Sequence, residues 1–240
     1  MDTLNFLQRV LPSEGFFVTT VINPDGNKQG FFSTVEELAK AVIGLDQRGN
    51  NTYFAISSFL EKGSRKQENV RLTKVLVLDV DCGENKPFPS WKEGLKALGK
   101  FISDVGLPKP LIVHSGNGLH VYWVLDRELA PEEWKPLAEA LKAATVAKGF
   151  DVDAGLTANS ALVLRPIGTH NPKNGNEVKV LLDAEPTTVA KMHVALADHF
   201  VSHRRHTTNS KLAQALNVES TLPPANAAVV AAKCQQIGWA

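Results

Sequence analysis

Hydrophobic and polar positions along this chain fall into two periods, and the switches between them mark its elements. Residues 34–43 space their apolar side chains for a short amphipathic helix, with Thr34 placed as its cap and Glu37 at the capping-box position. Residues 91–105 repeat the pattern through Leu95, Leu98, Ile102 and Val105, and Gly106 and Pro108 stop it. Residues 131–148 form the clearest helix, with Pro131 suited to the first turn, Glu132 and Glu133 at the positive end and Gly149 closing it. A further helix is expected over residues 188–200. Strand-like runs lie at 53–56, 74–80, 111–115, 119–125, 161–165 and 178–182, with a polar loop at 61–69. Two of these runs flank Gly116-Asn117-Gly118, residues that tolerate positive φ, which signals a hairpin. Helices mixed with antiparallel hairpins predict an α+β fold rather than a doubly wound parallel sheet.

Composition narrows the class without naming a chemistry. At 240 residues, 43% hydrophobic and 21% charged, the chain can bury a sizeable core. No apolar run approaches the ~18 residues that cross a bilayer. The first residues lack the basic start and apolar stretch of a secretion signal, and Cys82 and Cys234 sit in no zinc-like spacing. A reducing cytoplasm is the expected location. The net charge of +1 neither requires nor excludes a nucleic-acid partner. Two basic clusters could track a phosphate backbone: Lys62, Arg65, Lys66, Arg71 and Lys74, and then His203, Arg204, Arg205, His206 and Lys211. The expected organisation is a compact domain over residues 1–200, a linker over 201–222, and a helical region opening at Pro223-Pro224 and running through 223–240. The apolar close Ile237-Gly238-Trp239-Ala240 suggests a fragment of a longer polypeptide.

Four constellations could carry chemistry. In Lys74-Val75-Leu76-Val77-Leu78-Asp79-Val80-Asp81 an apolar strand ends in two carboxylates one residue apart. Side chains alternate along a strand, so Asp79 and Asp81 share a face at roughly 7 Å, a donor pair suited to a hard divalent cation. A strand running into an acidic turn is the other reading of the same residues. In the hairpin, His120 shares a face with Tyr122, and with Ser115 and the turn amides it could present a cation, a hydroxyl and N–H donors to a phosphate. Asp151 and Asp153, again alternate residues, could complete an acidic triad or simply close the preceding helix. Last, a strand delivers Arg165 into a Pro/Gly turn that carries Thr169, Asn171 and Lys173, residues fit for phosphate, sugar or base contacts.

Taken together and in order, Leu78-Asp79-Val80-Asp81-Cys82-Gly83 with Lys86, Ser115-Gly116-Asn117-Gly118-Leu119-His120-Val121-Tyr122-Trp123, and Arg165 through Lys173 resemble the primase-polymerase domain of the archaeo-eukaryotic primase superfamily. The branch in phage and plasmid replication proteins is most similar. The resemblance implies a two-module core, an RRM-like antiparallel sheet beside a second α/β module, with a catalytic cleft between them. It implies template-dependent nucleotidyl transfer with two Mg2+ or Mn2+ ions held by Asp79, Asp81 and a third carboxylate. Asp153, preceded by an apolar residue, fits that third place better than Asp151. Ser115 and His120 match contacts to the incoming nucleotide's phosphates, and Arg165, Asn171 and Lys173 match a nucleotide-binding turn. His170 replaces a residue more often apolar there, and no role is assigned to it. The partners implied are a single-stranded DNA template, a primer and NTPs or dNTPs, with a primase-associated or helicase region following in similar proteins. A replication initiator or other non-catalytic DNA-binding module of the same fold is the alternative, and a metal-dependent nuclease a third reading.

Overall fold

Two antiparallel sheets carry the architecture of the computed structural model, which describes residues 1–200 apart from residue 25. In chain order the elements are α1 (Thr3–Val10), β1 (Phe17–Asn23), β2 (Gly26–Phe32), α2 (Val35–Gln47), β3 (Thr52–Ala55), β4 (Ser57–Phe59), β5 (Val70–Val80) and α3 (Trp91–Val105). They continue with β6 (Leu111–His114), β7 (Leu119–Leu129), α4 (Pro131–Ala147), α5 (Ala154–Thr157), β8 (Val163–Leu164), β9 (His170–Asn171), β10 (Asn176–Glu177), β11 (Lys179–Leu182) and α6 (Val189–Ala195). The larger sheet has the order β11-β6-β7-β5-β4, the smaller one β2-β1-β3-β8, and β9 and β10 form a separate ribbon.

The larger sheet is built from the run of apolar residues that ends in the carboxylates. Val75 to Leu78 are fully buried, and β5 pairs with β7 from Val75↔Val124 to Val80↔Leu119. Because β7 lies between β5 and β6 and is antiparallel to both, β5-α3-β6 is a split β-α-β unit, the arrangement of an RRM-like sheet. Helix α3 starts on Ser90, whose hydroxyl accepts from the Glu93 N–H, and ends at Gly106 in the left-handed conformation (φ 76°). Helix α4 is tied to β5 by Trp134, whose indole N–H donates to the Val75 carbonyl at 2.7 Å.

One residue of α1 reaches both sheets. The Phe6 ring, fully buried, makes edge contacts with Phe54 on β3 (5.8 Å between centroids) and Tyr122 on β7 (5.5 Å). Burying a ring of this size stabilises by about 1.5–3 kcal/mol, and the T-shaped geometry adds to that.

Several elements differ from the sequence expectation at their edges. The strand expected over 161–165 shrinks to Val163–Leu164, since the Ala161 N–H is taken by the Asn159 side chain and Pro166 has no N–H to offer. The strand expected from Val178 starts at Lys179, because the Val178 N–H turns away to the Thr169 carbonyl. The last helix ends at Ala195 and continues as a 3-10 turn over Ala197–His199. Helix α1 and the β1-β2 hairpin were not marked by the periodicity. β2, with the pattern GNKQGFF, is largely exposed and carries no apolar alternation to read. The expected linker over 201–222, the helical region over 223–240 and the basic cluster around Arg204 lie outside the described residues.

Candidate active site

Strand β5 ends by placing Asp79 and Asp81 on the wall of a cavity of about 190 Å³. Asp79 is largely covered, with a side chain 25% exposed, whereas Asp81 follows the strand and is 57% exposed. Burial pushes the Asp79 carboxyl up to about 7; the Asp81 charge adds to this, Arg165 opposes it and Asp153 contributes a smaller push upward. Asp81 is paired with the Lys86 ammonium at 2.7 Å. A tight turn delivers that lysine: Gly83 (φ 128°) and Asn85 (φ 60°) are left-handed, the Lys86 N–H donates to the Gly83 carbonyl, and the Gly83 N–H donates to Phe88.

The hairpin turn after β6 is locked by its glycines. The Ser115 N–H donates to the Gly118 carbonyl at 2.9 Å, and the Gly118 N–H donates back to the Ser115 hydroxyl at 3.1 Å. A Cβ on Gly118 would lie 2.2 Å from the Val80 carbonyl oxygen, and one on Gly116 (φ 92°) would lie 2.5 Å from the Asn171 Cβ. Only glycine lets this turn press against both the carboxylate strand and the Arg165–Lys173 loop. The Asn117 amide donates to the Cys82 carbonyl, and the Asn174 and Asn176 amides both donate to the Gly116 carbonyl at 2.8 Å.

His120 on β7 lies directly opposite Asp79 on β5, with its Nε2 3.9 Å from the carboxylate Oδ1. It is 3% exposed, and its Nδ1 has no hydrogen-bond partner among the described residues. Burial, with the Arg165 charge next, lowers its pKa to about 3. The sequence reading offered His120 as a cation; in this environment it is a neutral imidazole, able to donate or accept a hydrogen bond but not to pair charges.

Arg165 leaves β8 and is held on the smaller sheet's side. Its Nη2 donates to the Tyr53 hydroxyl at 2.6 Å and to Asn51 Oδ1 at 3.0 Å, and its Cζ lies 4.7 Å from the centre of the Tyr53 ring. The loop beyond it is pinned to the end of α2 by Asp46, whose carboxylate accepts from the His170 backbone N–H at 2.7 Å and contacts His170 Nδ1 at 2.9 Å. His170, without a role in the sequence reading, thus anchors the loop. Asn171 is buried, and its side-chain oxygen accepts from the Lys173 N–H.

Asp79, Asp81, Ser115, His120, Arg165, Asn171 and Lys173 therefore line one cavity although they come from separate segments. Asp153 does not line it. It is exposed and caps the short helix α5 by accepting from the Gly155 N–H at 2.8 Å, while its charge still bears on Asp79. Asp151 is exposed as well. Among the described residues, no group of three or more His, Cys, Asp or Glu side chains comes together as a metal cage. Two carboxylates facing an open cavity do suit a small hard cation that draws its other ligands from water and substrate phosphates. Asn51 and Asp46 carried no signal in the sequence, and Tyr53 only that of a strand residue, since their partners lie more than a hundred residues away. The basic approach loop is partly spent on its own anchoring: Arg65 donates to the Ala161 carbonyl, Arg71 pairs with Glu14, and Lys62 lies 5.2 Å from the Phe16 ring centre.

Comparison with known proteins rests on structure. No family model matches the chain, and no curated protein matches it. Among solved structures, the archaeo-eukaryotic primase domain of the cyanophage S-2L primase-polymerase superposes with a TM-score of 0.59 at 18% identity, covering 80% of this chain and 94% of that one. The catalytic domain of primase RepB′ in complex with initiator DNA gives 0.51 at 16%, covering 90% and 99%. A second structure of primase RepB′ gives 0.53 at 15%, covering 98% and 68%. The fold is that of an archaeo-eukaryotic primase-polymerase domain, in keeping with the α+β expectation and with the resemblance carried by the motifs.

Proposed function

We propose that this chain carries out template-dependent nucleotidyl transfer, as a DNA primase or DNA polymerase in the replication of a phage or mobile element. The observation that carries the reading is the convergence of Asp79 and Asp81 with Lys86, Arg165 and Lys173 around one polar cavity. Three cationic side chains facing two carboxylates leave room for an anion, and carboxylates on one wall with cations on another suit a cation-bound triphosphate. Asp79 and Asp81, with Asp153 as a more distant third carboxylate, would hold Mg2+ or Mn2+. When bound, such ions activate the attacking 3′-hydroxyl and offset charge on the α-phosphate and the departing pyrophosphate.

The protein's own groups do the positioning. Arg165, fixed by Tyr53 and Asn51, offers the phosphates a guanidinium whose orientation is set before substrate arrives. Lys173 adds a mobile point charge. The Ser115 hydroxyl and neutral His120 supply hydrogen bonds, and Asn171 fixes the loop between them. Phosphoryl transfer depends on positioning and charge compensation more than on a protein nucleophile, and the cavity lacks a cysteine among its lining residues.

The test is incubation with a single-stranded template, labelled NTPs or dNTPs and Mg2+ or Mn2+, with and without primer. Wild-type chain should extend or initiate product, and Asp79→Asn should abolish synthesis while retaining fold and single-strand binding. Undiminished synthesis by Asp79→Asn would refute the reading. DNA binding by wild type without synthesis under any of these conditions would favour a non-catalytic replication module of the same fold.

A further inference from the structure

The Gly116–Asn117 turn has a second concavity beside it, and nothing in the reaction just described uses it. A groove of about 350 Å³ is lined by Trp91, His114, Asn117, Asn176, Lys179 and Leu181, among others. Asn117 lines both this groove and the candidate active cavity, so the two adjoin at the turn. His114 pairs across the sheet with Leu119, whereas His120 pairs with Val113, which puts the two histidines on opposite faces.

Trp91 is the informative residue. Of the described tryptophans, Trp123 and Trp134 are buried, and each donates its indole N–H to a backbone carbonyl. Trp91 is partly exposed, at the first position of α3, with its ring edge-on to His114 at 5.6 Å. The Lys92 ammonium lies 5.8 Å from the same ring, and exposed Lys179 stands directly across the sheet from His114. Glu177 also lines the groove and balances Lys179, while Lys92 adds a cation beside the Trp91 ring without lining the groove. An aromatic surface, flanking lysines and side-chain amides together make a stacking platform with phosphate contacts and polar groups for a base edge.

We propose that this groove binds an unpaired base of single-stranded DNA, with Trp91 as the stacking surface and Lys179 and Lys92 contacting the neighbouring phosphates. Its place beside the turn assigns it to template next to the reacting base. That placement rests on the nucleotidyl-transfer reading; strand binding itself does not. Nucleobase stacking tolerates any base, so the platform holds the strand without reading its sequence.

The test uses the full chain and a fluorescently labelled oligo(dT), followed by anisotropy over a range of salt concentrations. Trp91→Leu keeps apolar bulk but removes the π-face, and should weaken binding by about tenfold at every salt concentration. Trp91→Phe should retain most of the affinity. Lys179→Ala should weaken binding more at low salt and reduce the slope of log affinity against log salt by about 0.7. Unfolding curves for each variant separate a binding loss from a folding loss. Wild-type affinity in Trp91→Leu would overturn the proposal, as would a loss confined to free nucleotide binding. A wild-type chain that binds oligo(dT) through Trp91 yet synthesises nothing would refute nucleotidyl transfer and leave the groove standing. Full synthesis with Trp91→Leu unimpaired in strand binding would do the reverse.

Discussion

Asp79 and His120 face each other across β5 and β7 with 3.9 Å between carboxylate and imidazole, yet they do not form an ion pair at neutral pH. Burial holds the imidazole neutral, at about 3, and raises the carboxyl to about 7. A cation must therefore displace a proton from Asp79 below pH 7. Mn2+ affinity should rise by about one decade per pH unit up to about pH 7 and level off above it, as followed by the signal of free Mn2+ in a titration. In the metal-free protein Asp79 contributes the opposite trend to stability. The folded carboxyl titrates well above its ordinary 3.8, so the folded state holds the extra proton between those values. Asp79 alone would make stability fall as pH rises through that window. His120, lowered from 6.5 to about 3, contributes the opposite slope up to about pH 6.5 and offsets it. In His120→Asn the Asp79 slope should stand alone, and Mn2+ should restore the stability lost. A melting temperature of metal-free His120→Asn that rises from pH 5 to pH 7 would contradict this assignment.

The Lys86 ammonium is paired with the Asp81 carboxylate that would face a bound cation. Removing the ammonium takes away a competing charge, so Lys86→Met should bind Mn2+ several-fold more tightly, and Lys86→Arg should stay near wild type. Both residues of the pair are about half exposed, which limits the expected change in fold stability to about 0–1 kcal/mol. Equal Mn2+ affinity in Lys86→Met and wild type would show that the pair is incidental to the site.

Gly118→Ala should be among the most damaging single substitutions in the domain. Its added methyl would sit 2.2 Å from the Val80 carbonyl oxygen, a backbone atom that cannot rotate aside. Overpacking of this kind costs about 1–3 kcal/mol. The shift it forces separates the hairpin from the strand that carries Asp79. Chemical denaturation should show the loss of stability, and nucleotide incorporation should fall with it even at temperatures where the variant is fully folded.

Tyr53 contributes to Arg165 in two separable ways. Tyr53→Phe removes the hydroxyl that accepts from Nη2 but keeps the ring under the guanidinium, and should raise the nucleotide KM about three- to tenfold. Tyr53→Leu removes both contacts and should raise KM further with a smaller effect on kcat. An effect on kcat alone would mean that Arg165 acts at the reacting centre and not in substrate binding.

Legibility in the sequence followed contact range. Helix α3 was readable to its last residue because the apolar spacing from Leu95 to Val105 and the Gly106 stop after it are local signals. The carboxylate pair and the hairpin turn were readable for the same reason. The Arg165–Tyr53 and Asp46–His170 contacts were not, since they join residues 112 and 124 positions apart through polar groups with no periodicity. The charge of His120 was not legible for a physical reason: its type suggests a cation, but burial pushes its pKa down to about 3. Asp153 lies outside the cavity lining and caps α5, a placement that its spacing from Asp151 did not show.

Phe6 gives the cavity a dimension that no cavity residue controls. The carboxylates ride on one sheet and Arg165 with Tyr53 on the other, and the Phe6 ring is wedged between Phe54 and Tyr122 beneath them. The reach from cation site to phosphate clamp is thus set like the gap of a calliper, by the thickness of a spacer at its hinge. Swapping that spacer for a smaller or larger apolar residue should change the separation of the two sides while leaving every residue that lines the cavity in place.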